Sequence, residues 1–358
     1  MAYFAVSSAW ASDRMSATFL NPGGKDDEFF SMMTSFMQAA ADDLGVELEV
    51  VYCDRNHLKM RDEGLRLLNR PDPPEHLILI NEKDAGGELL RLAADKGVHV
   101  ALINEGLNGE YGDAFGGPGE ILSNWILEYL PDDRQAGYLL GKALIQAARN
   151  RGSGLPSAGV SVVAISGNYR TGSSAQRVMG LRQAVEEEGR VHLLQVVPAY
   201  WEEAHAEKVV NGVMQRYPGT SVIWAASDVM ARGAQTALAR LPGGWGSKPV
   251  LGGIDWAKFA LYEVKAGRFA ATVGGHFMDG GWALVMLYDL YHGIALEQRR
   301  MQSKFSLITP DNVEEYLERF GTQDWSTIDF TRFSKKYNPG MKQYDFGLEA
   351  VLRQLRGE

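Results

Sequence analysis

Short apolar runs alternate with longer segments whose apolar positions recur every three or four residues. Residues 15–20 predict a strand. Residues 27–44 predict a helix with Phe29, Met33, Phe36, Met37 and Ala40 on one face and Gly45 as its stop. The spacing then predicts a strand over 46–52 and a helix over 57–69. Pro71, Pro73 and Pro74 force a turn before a strand over 77–80. A helix over 85–96 stops at Gly97 and feeds a strand over 98–103. Residues 105–119 read as a glycine-rich loop, long for a simple connection and so a candidate functional segment. Residues 124–129 look extended and 132–149 helical.

A small polar break at 152–157 precedes a second array. Strands are predicted at 160–165, 192–197, 221–224, 250–254, 270–273 and 305–308, and helices at 174–188, 202–215, 229–239, 258–265 and 281–291. Gly189 and Gly267 act as stops. Strand–helix alternation is the signature of parallel α/β sheets. Two successive arrays predict two doubly wound, Rossmann-like lobes. In such sheets ligands sit beyond the carboxyl ends of the strands, so the residues just after each strand are the candidates.

Composition narrows the picture. A chain of 358 residues suggests about two domains of ~150 residues each. A net charge of −9 argues against a nucleic-acid partner, which would call for a basic face. No apolar run reaches the ~18–20 residues of a membrane helix. Cys53 is the one cysteine, expected as a small buried hydrophobe after the second strand. Near the start, Ala9-Trp10-Ala11 has the small-x-small form of a signal-peptidase site. Residues 1–14 are therefore expected to be a signal-peptide remnant or flexible tail of an exported, periplasmic protein, with the mature chain beginning near Ser12.

No nucleophile elbow, HExxH helix, Walker A loop, CxxC pair or GxGxxG fingerprint occurs. His57, His76, His99, His192 and His205 fall in separate elements without metal-ligand spacing. The expectation is a binding protein with no catalytic residues, no metal and no cofactor.

Five segments carry a resemblance. Residues 221–234, SVIWAASDVMARGA, look like a strand followed by "NDxMAxGA"; residues 250–256, VLGGIDW, look like "VxGFD". Residues 262–273, with KAGRFAATV, resemble the stretch before a final crossover. Residues 173–185, SSAQRVMGLRQAV, form a fourth match, and Phe29-Phe30 stands in place of "NPFF". In their order along the chain, from about Met15 to Ile308, they resemble the type I periplasmic binding proteins, the ribose- and galactose-binding group of ABC importers. The resemblance implies two lobes joined by three crossovers, near 127–132, 274–277 and 302–305. Residues 15–126 with 276–303 would form one lobe. Residues 127–275 with 304–358 would form the other, including a C-terminal extension.

Carried over by position, the resemblance implies a site drawn from both lobes. Asp27, Phe29 and Phe30 come from the first loop and helix start, and Asn104 and Glu105 follow the fourth strand. Trp201 falls at a ligand-stacking aromatic. Ser227 and Asp228 match "ND", Asp255 matches "FD", and His276 lies beside Gly275, where ribose binders keep a polar amide. The family's arginine in the fourth segment falls on Ala175; Arg177 is two places on, and Arg170 in the preceding loop is the expected substitute. Aromatic faces and ionised carboxylates suit a sugar: the first pack on its C–H face and the second accept from its hydroxyls.

The function implied is capture of a small polar ligand, a sugar, by a monomer that presents it to an ABC permease. The alternative is a sensory receptor that presents a ligand-bound form to a membrane sensor kinase. A LacI-like repressor domain shares the fold but needs a DNA-binding headpiece, and an enzyme on the same scaffold would need turnover. The aromatic tail after Thr322, with Trp325, Phe330, Phe333, Tyr337, Tyr344 and Phe346, is expected to pack across a lobe or the hinge.

Overall fold

The computed structural model describes residues 14–107, 109–152 and 159–358. The expected signal-peptidase site at Ala9-Trp10-Ala11 and most of the polar break at 152–157 lie outside the described residues. Two six-stranded sheets organise the rest.

The first sheet contains β1 (Ser16–Asn21), β2 (Glu47–Tyr52), β3 (His76–Leu79), β4 (His99–Ile103), β5 (Trp125–Pro131) and β11 (Arg300–Ser303), in the order β11-β5-β4-β3-β1-β2, all parallel. The second contains β6 (Val160–Ser166), β7 (Val191–Pro198), β8 (Val222–Ala225), β9 (Val250–Ile254), β10 (Ala271–Gly274) and β12 (Ser306–Ile308), in the order β12-β10-β9-β8-β6-β7. There β12 is antiparallel to β10 and the other pairs are parallel. Each sheet thus holds the doubly wound order 2-1-3-4-5, with a switch point beside its first strand.

The helices follow from their caps and stripes. Helix α1 (Glu28–Leu44) begins where Asp27 accepts from Phe30 N–H at 3.0 Å and ends at Gly45 in the left-handed region, φ 70°. Helices α2 (His57–Leu68) and α3 (Gly86–Lys96) complete the first lobe's early repeats. Residues 109–115 wind into α4 (Gly109–Phe115) inside the segment expected as a loop. It buries none of its side chains, which is why no apolar stripe announced it.

Three crossovers join the lobes. The chain leaves β5 for α5 (Asp133–Asn150), returns from β10 through the turn His276–Met278 into α10 (Asp279–Tyr291), and passes from β11 to β12. In the second lobe, α6 (Gly172–Glu187) packs so tightly on α5 that a Cβ at Gly137 would lie 1.8 Å from the Arg177 carbonyl oxygen. A Cβ at Gly180 would lie 1.9 Å from that of Arg134. Helices α7 (Glu203–Arg216), α8 (Asp228–Ala239), α9 (Lys258–Lys265) and α11 (Val313–Phe320) complete that lobe, and α12 (Leu348–Arg356) closes the chain.

Two placements differ from the sequence expectation. Strand β5 stays in the first sheet as far as Pro131, so the first lobe runs past the expected boundary at 126 and the crossing falls at the end of the expected 127–132. The tail beyond residue 324, expected with the second lobe, lies on α1 and α10 of the first. Trp325 and Phe330 meet Phe36 at 5.6 and 5.1 Å, and Phe346 stacks on Trp282 at 4.8 Å. Buried Asp289 anchors it, accepting from Lys335 N–H, Lys336 N–H and Tyr344 O–H at 2.7, 3.1 and 2.9 Å. An apolar run shows that a tail must dock; only the folded faces show where.

Candidate functional site

At the carboxyl ends of both sheets lies a cavity of about 260 Å³, near the small end of small-molecule sites (roughly 300–1,000 Å³). The first lobe contributes the β1–α1 turn, Arg55 after β2, Glu82 after β3, and Asn104 and Glu105 after β4. The second contributes Thr171, Ser173 and Arg177 from the start of α6, Trp201 after β7, Ser227 and Arg232 from α8, and Asp255 after β9. His276, in the second crossover, completes it.

Backbone conformation holds several of these side chains in place. Asn104, Trp201 and Asp255 have φ of 61°, 69° and 136°. For non-glycine residues such angles cost roughly 1–3 kcal/mol each and persist where the surroundings enforce them. At Asp255 the enforcement is visible: its N–H donates to the Val273 carbonyl at 2.8 Å, and the following Trp256 is wholly buried.

Arg177 is the centre of the cavity floor. Its Nε donates to Asp133 Oδ1 at 2.7 Å, and its Nη1 to the Ala226 carbonyl at 2.7 Å and more distantly to Asp255 Oδ1 at 3.4 Å. Its Nη2 donates to His276 Nε2 at 3.1 Å. That bond makes Nε2 the acceptor, so Nδ1 carries the imidazole proton, and this buried Nδ1 has no partner among the described residues. Burial and the adjacent guanidinium hold His276 well below its ordinary pKa, so it is neutral. Its ring stacks on Phe29 at 4.5 Å and lies 4.6 Å from Phe305.

Two carboxyls are shifted upward. Burial pushes Asp255 up to about 7, against the opposing pull of Arg177. Burial pushes Glu105 up to about 8, although its Oε1 accepts from Gly172 N–H at 2.8 Å. That bond crosses between lobes: Glu105 caps α6, whose own N-cap, Thr171, turns its hydroxyl to the Asn168 carbonyl. A second cross-lobe link joins Arg232 Nη1 to Glu28 Oε2 at 3.0 Å.

Of the residues expected at the site, Asp27, Phe29, Phe30, Asn104, Glu105, Trp201, Ser227, Asp255 and His276 line this cavity. Several also serve structure. Asp27 caps α1 and pairs with Arg55 at 2.6 Å, Phe30 is buried in the core beneath the Arg55 guanidinium, and Ser227 caps α8. Two residues do not join them. Arg170 is on an exposed turn, drawn outward where its N–H bonds the Asn168 side chain. Asp228 is sealed beneath the cavity, because the first turn of α8 points it back at the sheet. There it accepts from Thr272 Oγ1 at 2.9 Å and Ala257 N–H at 2.9 Å, fixing the loop that carries Asp255.

Sequence reasoning passed over Arg177 as a site residue, and with it Arg55, Glu82 and Arg232. A signal for Arg177 was present. Ser174, Arg177, Leu181 and Ala184 form the buried stripe of α6, and a guanidinium on an apolar stripe needs buried partners. The others follow strand ends or lie on a helix face, where nothing local separates them from solvated charges. Among the described residues, no His, Cys, Asp and Glu group could hold a metal, and no helix is long and apolar enough to cross a membrane.

A family model described as a periplasmic binding protein domain matches residues 17–293. The chain is 31% identical over 136 residues to the D-allose-binding periplasmic protein of Escherichia coli, a match covering 38% of this chain and 43% of that relative, less than half its length. It is 24% identical over 253 residues to the ribose import binding protein of Haemophilus influenzae, covering 69% and 76%. A crystal structure of a periplasmic sugar-binding protein from Pseudomonas fluorescens superposes with a TM-score of 0.84 at 32% identity, covering 95% of this chain and all of that one. The Caulobacter myo-inositol binding protein shares the fold, with a TM-score of 0.68 at 21% identity.

Proposed function

We propose that this chain, which belongs to the periplasmic binding protein family, captures a sugar or polyol between its lobes outside the cytoplasm and delivers it to the membrane permease of an ABC importer. It is a binding protein and not an enzyme. The observation that carries the reading is the cavity between the two switch points, which draws aromatic faces and charged hydrogen-bonding groups from both lobes. The relatives named for D-allose and ribose, and the sugar-binding neighbour from Pseudomonas fluorescens, support the ligand class.

In this reading one ligand binds per monomer. Phe29 from the first lobe and Trp201 from the second offer flat apolar surface to the C–H faces of the ring. Asp255, Asn104 and Arg177 bond its hydroxyls, and hydrogen bonds to the charged groups are worth about 1.5–3 kcal/mol each. Residues up to about 131, with 276–303 and the docked tail, move as one lobe. The rest moves as the other, and closure is a hinge motion about the three crossovers.

A thermal-shift screen against D-allose, D-ribose, L-arabinose and myo-inositol tests this, since a ligand that binds only the native state raises the midpoint. Titration calorimetry of the strongest hit should give one site per chain, with mass spectrometry recovering the ligand unchanged. A chemically altered ligand, or no shift with any sugar or polyol, would overturn the reading.

A further inference from the structure

Charge around the cavity does not balance. Six carboxylates line it, Asp26, Asp27, Glu28, Glu82, Glu105 and Asp255, against three guanidinium groups, Arg55, Arg177 and Arg232. Each guanidinium is already held by protein carboxylates. Arg55 lies 2.6 Å from Asp27, Arg177 2.7 Å from Asp133, and Arg232 3.0 Å from Glu28 and 2.7 Å from Glu203. An acidic ligand would have to share a guanidinium whose charge a protein carboxylate already offsets, or displace that carboxylate and leave it unpaired.

Glu105 presents the opposite vacancy. It is only 8% exposed, and the one hydrogen-bond partner of its carboxyl among the described residues is the Gly172 N–H. The charges that face it are mostly of its own sign: Glu82 and Asp84 after β3 and Asp133 at the start of α5. The guanidinium on the cavity floor, Arg177, is committed to Asp133, Asp255 and His276. The positive end of α6 helps, yet burial still pushes the carboxyl up to about 8. A second orphan belongs to a residue lining the same cavity: His276 is 1% exposed, and its Nδ1 donor has no acceptor among the described residues.

We propose that the ligand supplies the missing positive charge: the site takes a sugar or polyol bearing a protonated amine, with the ammonium seated against Glu105 and a hydroxyl oxygen accepting from His276, and it rejects the acidic counterpart. The inference rests on the cleft-binding reading above and narrows its substrate class. Glu105 is then the specificity-determining residue. The chemistry is charge pairing in a site that excludes much of the solvent, where an ammonium–carboxylate contact counts for more than it does in water.

The test is calorimetry on the full chain with matched ligands: D-allose against 2-amino-2-deoxy-D-allose, D-glucose against D-glucosamine, and D-glucuronate as the acid. The expected result is that the amine binds about tenfold or more tightly than its neutral partner, that glucuronate does not bind, and that Glu105→Gln removes the preference. Titrating pH adds a second readout. Below pH 8 an ammonium must displace the Glu105 proton, so amine affinity rises with pH until the amine itself loses its proton. Affinity for a neutral sugar is flat below about pH 8 and falls above it, because closure would then bury an ionised Glu105. Equal affinity for both members of each pair, or a preference that survives in Glu105→Gln, overturns this inference while leaving the cleft reading intact. No binding by either amine overturns this inference, and the cleft reading is then judged by the wider sugar and polyol screen above.

Discussion

The seam between the tail and helices α1 and α10 and the seam between the two lobes both bring distant parts of the chain together, from opposite materials. In the first, Phe36, Phe277, Trp282, Trp325, Phe330 and Phe346 meet ring on ring, with the carboxylate of Asp289 fully engaged by tail groups. In the second, Arg177, Asp255, His276 and Glu105 meet in a cavity with ionisable groups under-partnered and carboxyls pushed upward. Apolar packing stabilises a contact that stays made. A seam that opens and closes needs groups that water can serve when it is open and a ligand can serve when it is shut. The difference is why we propose the second, and not the first, as the site.

Four substitutions press on that contrast. Phe330→Ala opens a cavity in the aromatic seam and should lower stability by about 3–5 kcal/mol, with ligand affinity of the folded protein unchanged; urea unfolding and calorimetry would check both halves. Arg177→Met leaves Asp133 and Asp255 buried without their cation. It should cost about 3–5 kcal/mol in stability at neutral pH, less in acid where both carboxyls protonate, and should abolish binding; thermal midpoints measured across pH would show it. Trp201→Ala should leave the midpoint within a degree or two and weaken binding by roughly 2 kcal/mol, read by calorimetry. Arg170→Ala, on the exposed turn, should change affinity and stability by less than about 0.5 kcal/mol, and a larger loss of affinity would return it to the site.

Strand–helix alternation was enough to read two doubly wound lobes, because period and punctuation are local properties. The strand-end rule and the resemblance together led to nine of the eighteen residues that line the cavity, Asn104, Asp255 and Trp201 among them. What escaped depends on partners far away in sequence. Arg177 meets Asp133, Asp255 and His276 across separations of 44, 78 and 99 residues, and no local pattern encodes that. Asp228 and Ser227 are neighbours in one motif, yet a single helical step sends one to the cavity and the other into the sheet. The tail's destination was hidden for a like reason: its aromatic run matches any apolar face, and the choice of α1 and α10 is made by Phe36 and Trp282.

The affinity of Asp255→Ala for the tightest-binding sugar, polyol or amino sugar, measured by calorimetry beside the parent, tests the central claim most directly. Asp255 is held at φ 136° with its carboxylate on the cavity wall, 3.4 Å from Arg177. Its removal leaves ligand hydroxyls unpaired in the closed cleft. The account predicts a loss of about 2–3 kcal/mol, ~30- to 150-fold in Kd, with native circular dichroism. Parent-like binding by a natively folded Asp255→Ala would contradict it and place the ligand somewhere other than between the lobes.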